Sequence, residues 1–116
     1  MITIDAEEAM AFDCLAILEV KCEKFPNNEV TKNSWWDCFD NIKEQLGDKV
    51  FYEVYASKEY KSLKDANILT FDAVEKARHD GDVTAKEVDD CNIKRYEAKK
   101  ALQKKFFGEE LKEFKN

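Results

Sequence analysis

At 116 residues the chain has the length of one domain, enough to bury a core without disulfide or metal staples. Its 44% hydrophobic and 38% charged residues, with three glycines and one proline, exclude a disordered chain and favour an all-α fold. A net charge of -6 argues against a nucleic-acid partner held by bulk charge, because phosphate contacts need a positive footprint.

The first helix is expected from about Asp5 to Lys24, ended by Phe25-Pro26-Asn27-Asn28, where proline forces its predecessor out of the helical region. Ten of the twelve residues from Ala9 to Val20 are apolar, so this helix belongs at the centre of a bundle, and Asp13 and Glu19 then need either partners or a narrow solvent strip. The second helix begins between Asn28 and Ser34 and closes at Leu46-Gly47, with glycine in the left-handed position that follows a helix. Trp35, Phe39, Ile42 and Leu46 form one apolar stripe along it, widened by Trp36 and Cys38. Between Asp48 and Ala56 the composition suits a strand, but an isolated strand has nothing to pair with, so a short helix or turn is expected.

The third helix follows Ser57, a good N-cap, and stops at His79-Asp80-Gly81. The fourth starts from the capping box Thr84-Ala85-Lys86-Glu87 and runs to Phe107 before Gly108. The short connection makes these two arms an antiparallel hairpin, so the expected fold is a bundle of about four helices, residues 1–108, with a charged tail at 109–116. The arms echo each other: Asp65-Ala66-Asn67-Ile68 returns as Asp90-Cys91-Asn92-Ile93, and Phe71-Asp72-Ala73 as Tyr96-Glu97-Ala98. Read as heptads, Leu63, Ala66, Thr70, Ala73 and Ala77 face Val88, Cys91, Arg95, Ala98 and Leu102 across a seam of mostly small residues. That register sets Asp72 level with Asn92, and Asn67 between Arg95 and Lys99.

The four cysteines, Cys14, Cys22, Cys38 and Cys91, lack the close pairing of metal or redox motifs and read as buried reduced thiols. A single histidine, His79, completes no zinc spacing, so neither a metal nor a cofactor is expected. No run reaches the roughly 18–20 apolar residues a bilayer span requires. The start, Met1-Ile2-Thr3-Ile4-Asp5, lacks the basic residues of a signal peptide, and a cytoplasmic protein without membrane contact is expected.

The chain resembles a family of small helical bacterial and phage proteins that sometimes occur near surface-sugar glycosyltransferases. Asp13, Leu15, Ala16, Ile17, Leu18, Glu19, Val20 and Lys21 match its D-x-L-[TAS]-I-L-E-[IV]-K run. Asn67, Thr70, Phe71, Asp72, Glu75 and Arg78 resemble N-x-x-L-W-D-x-x-D-x-x-R, departing from it at Thr70, Phe71 and Glu75. Asn92, Arg95, Lys99, Leu102 and Gln103 resemble N-x-x-R-x-x-x-K-x-x-I-N. The resemblance implies an all-helical fold and carries no activity with it.

The polar residues that border the apolar faces, Lys21, Asn67, Asp72, Arg78, Asn92, Arg95, Lys99 and Gln103, are the candidate site. One reading makes them, with Glu19, a structural network that fixes helix register, with Arg95 paired to Asp72. A second makes Arg95, Lys99 and Lys21 a site for a small anionic ligand such as a nucleotide, sugar-nucleotide or carboxylate. A third makes the chain a protein-interaction module, adapter or inhibitor-like, that docks on an unnamed protein partner or a second copy through the hairpin or the Trp35-Trp36 face. With no nucleophile–base pair, metal motif or glycine-rich phosphate loop in the sequence, a catalytic role is the least supported.

Overall fold

The computed structural model describes residues 8–79 and 84–108, so the expected helix start at Asp5, the stop at Gly81 and the tail at 109–116 lie outside the described residues. The described chain is all-helical, with five helices and no strand: α1 (Glu8–Lys24), α2 (Glu29–Leu46), α3 (Asp48–Tyr55), α4 (Lys58–His79) and α5 (Ala85–Phe107). The added helix relative to the expected four is α3, whose Phe51, Val54 and Tyr55 turn inward at the three- and four-residue spacing of a helix rather than alternating as in a strand.

Side chains named by the sequence set the helix boundaries. Asn28 accepts a bond from the Thr31 amide at 3.0 Å to start α2, Ser57 accepts from the Tyr60 amide at 3.0 Å to start α4, and Thr84 accepts from the Glu87 amide at 3.2 Å to start α5. Gly47 departs from the expected left-handed cap: with φ 87° and ψ 153° it closes α2 and opens α3 at once. Its N–H donates to Lys43 at 2.8 Å while its carbonyl accepts from Phe51 at 3.0 Å, so one residue makes the whole turn, in a conformation essentially reserved for glycine.

As its composition requires, α1 is central, packing against α2, α4 and α5. Phe12, Leu15, Ile42, Phe51, Leu63 and Leu102 are fully buried and draw on all five helices. Each such side chain contributes about 1.5–3 kcal/mol by leaving water. The most extensive helix–helix contact joins α4 and α5, where the Cys91 thiol lies 3.8 Å from the Leu69 carbonyl. Phe39 and Phe51 form the base of an aromatic stack, with ring centroids 4.7 Å apart, on which Trp35, Tyr52 and Tyr55 rest. Among the described residues no helix is long and apolar enough to cross a membrane.

The cysteines differ from expectation. Only Cys38 is buried; Cys22 and Cys91 are half-buried, and Cys14 is exposed on the edge of α1 that turns outward, in line with Met10, Ile17 and Lys21. All four are free thiols.

Candidate functional site

The polar groups of α1 gather partners at three levels. At the middle level, Asp13 is 5% exposed. Its carboxylate accepts from Arg95 Nε at 3.2 Å, from the Arg95 NH2 group at 2.8 Å and from Asn67 Nδ2 at 2.9 Å. Such a fork on a carboxylate fixes both the distance and the rotation of α5 against α1. Asn67 Nδ2 also donates to the Leu63 carbonyl at 3.1 Å, and these two acceptors fix which way the amide points.

One and a half turns further along, Glu19 accepts from the Tyr55 hydroxyl at 2.8 Å and from the Tyr60 hydroxyl, with Lys64 Nζ at 3.8 Å. Burial first, and then the bond to Glu19, raise both phenols above the ordinary tyrosine range. Burial would lower Lys64, but its hydrogen bond to Glu23 and the charges of Glu19 and Glu23 outweigh it, and the net shift is upward. Burial also pushes the Cys38 thiol up to about 12.

At the start of α1, Gln103 is fully buried; its Oε1 accepts from the Ala9 amide at 2.8 Å and its Nε2 donates to Glu8 at 2.9 Å. It thus supplies from α5 the acceptor that the first turn of a helix lacks.

Of the residues singled out in the sequence, Asn67, Arg95 and Gln103 reach α1 in this way. Asp72 does not meet Arg95; it forms an ion pair with Lys24 at 2.8 Å near the surface. Among the described residues Arg78 pairs with Glu75, at 3.4 Å on an exposed face. Asn92 is exposed beside Ile93 and Tyr96, and Lys21 is exposed about two turns beyond Asp13. Lys99 is half-buried and lies, with Arg95, close enough to Cys14 to act on its charge. Sequence reasoning missed Asp13 as the centre of the arrangement and Tyr55 and Tyr60 as ligands of Glu19; the charges interrupting an apolar run were the signal.

Above the Asp13 level lies a cavity of about 200 Å³ between α1, α4 and α5, walled by Ile17, Val20, Phe71 and Val74 and reaching Asn67 and Arg95. A second surface feature lies on α2 and α3. Trp36 and Tyr52 are 54% and 46% exposed, and both rings contact Phe39, at 5.7 and 6.3 Å. Trp35 and Trp36 meet edge to face at 4.7 Å, and together they wall a cleft that also reaches Lys32 and Glu23. The indole N–H of Trp35 is buried with no acceptor among the described residues. Those residues hold no cluster of three His, Cys, Asp or Glu side chains able to bind a metal ion. Comparison with known proteins returns no match to the chain, neither a protein-family model nor a curated protein nor a solved structure.

Proposed function

We propose that this is a non-enzymatic, cytoplasmic protein-interaction module that docks through the Trp36–Tyr52 ridge, with the α4–α5 pair as an antiparallel hairpin. The observation that carries this reading is the exposure of two large aromatic rings on a rigid, buried aromatic base. Exposed aromatics anchored in this way lose little freedom on binding, which is what makes such side chains dominate interface energetics. The orphaned Trp35 N–H supports the same reading: an unpaired buried donor costs about 1–3 kcal/mol, and departures of this kind concentrate where function constrains the sequence.

The test is the double variant Trp36→Ala/Tyr52→Ala, compared with the unmodified chain by light scattering across concentration and by affinity purification from its own cells. The expected result is a stoichiometric partner, either a different protein or a second copy, retained by the unmodified chain and lost by a variant that melts normally. Identical behaviour of the two chains, both monomeric and both without a partner, refutes the reading.

A further inference from the structure

We propose that the cavity between α1, α4 and α5 is a binding site for a neutral aromatic molecule of one or two rings carrying a single N–H or O–H donor, of the phenol and indole class. The proposal is independent of the docking ridge, which lies on α2 and α3.

Size sets the first limit. An apolar cavity of roughly 150 Å³ takes up benzene. About 200 Å³ therefore leaves room for one ring and either a polar substituent or a fused second ring. The walls are apolar, with the ring of Phe71 on one side and Ile17 and Val20 on the other, and Val74, 40% exposed, stands at the mouth and leaves a route in.

The polar end selects the chemistry. Asn67 is 5% exposed, and its Nδ2 is held by two acceptors, Asp13 and the Leu63 carbonyl. Its Oδ1 accepts no bond among the described residues, and Asn67 is one of the residues that line the cavity. The Thr70 hydroxyl has its proton committed to the Ala66 carbonyl at 2.9 Å. A ligand seated here must therefore bring a donor for an amide oxygen. The neighbouring charges are already matched, because Arg95 is bidentate on Asp13, so a ligand with a net charge would be buried without a counterion.

The experiment titrates the whole chain with indole, N-methylindole and benzoate, following melting temperature and amide NMR spectra. Indole is expected to raise the melting temperature saturably and to move the Asn67 side-chain amide signals. N-methylindole, which cannot donate, should bind about tenfold more weakly, the worth of one hydrogen bond. Benzoate should give no shift. Val74→Trp, which fills the mouth, should abolish the response; Val74→Phe serves if the larger ring prevents folding. No response to indole up to its solubility limit overturns the proposal. So does N-methylindole binding as tightly as indole, or an undiminished response in the filled variants.

Discussion

The guanidinium of Arg95 and the carboxylate of Asp13 join α5 to the buried middle of α1 through two nitrogens, at 3.2 and 2.8 Å, across 82 residues of sequence. Asp13 is only 5% exposed, and its other donor among the described residues, Asn67, is a neutral amide. Replacing Arg95 by Met is therefore expected to destabilise the protein by about 3–5 kcal/mol, the usual result of orphaning a buried charge. The double variant Asp13→Leu/Arg95→Met should recover much of that loss. Urea denaturation of the single and double variants checks this, and additive losses in the double variant would show that the two side chains act separately.

The same pair shows what the sequence could and could not tell. The starts of α4 and α5 were legible because Ser57 and Thr84 act locally, through bonds to amides three residues away, and Asn28, at the near edge of the range expected for the start of α2, acts in the same way. The centrality of α1 was legible from its apolar composition. The heptad count brought Asn67 near Arg95 and set Asp72 level with Asn92, and the network reading then gave the arginine to Asp72, because counting along two helices says nothing about where a third one lies. Asp13 sits on that third helix, and Asp72 turns instead to Lys24. Tyr55 was out of reach for the same reason, since its role depends on how α3 lies over α1.

Gly47 and Gly108 both have positive φ, but they should respond differently to substitution. Gly108, at φ 69° and ψ 11°, is in the left-handed region that asparagine tolerates, so Gly108→Asn should be nearly neutral. Gly47, at φ 87° and ψ 153°, is not. A Cβ there meets nothing within 4 Å, so the cost of Gly47→Asn or Gly47→Ala is purely one of backbone conformation, about 1–3 kcal/mol. Comparing the denaturation midpoints of the asparagine variants decides it; equal losses would contradict the assignment.

Stability should fall in alkali. Cys38, Tyr55 and Tyr60 titrate above their ordinary values in the folded state, so their contribution is complete below those values. Above about pH 9, the unfolded chain releases the Cys38 proton while the folded chain keeps it until about 12. The tyrosines join from near pH 10, and Lys64, also raised, acts in the same direction. Each group removes about 1.4 kcal/mol per pH unit within its window. The urea midpoint, followed from pH 8 to 11, should decline from 9 and steepen beyond 10, and a flat profile would show that these groups are solvated.

Thiol labelling should proceed in order of exposure. Cys14 should react in the native protein, although burial and the adjacent Asp13 raise its thiol and make the reaction faster at higher pH. Cys38 should react only on unfolding, with Cys22 and Cys91 between them. Mass spectrometry of timed maleimide reactions reads the order directly, and early modification of Cys38 would contradict its placement.

Gln103 closes the first turn of α1 from 94 residues downstream, and this has a consequence for how the chain is made. A ribosome delivers α1 first, with its apolar sides turned to water and the amide of Ala9 open. The Arg95 fork on Asp13 cannot form until the first half of α5 has emerged, nor the cap until nearly all of it has. The helix at the centre of the finished molecule is therefore among the last to be fully secured, and a nascent chain halted before residue 95 holds it through hydrophobic contact, the tyrosines on Glu19 and Asn67 on Asp13, without either bond from α5.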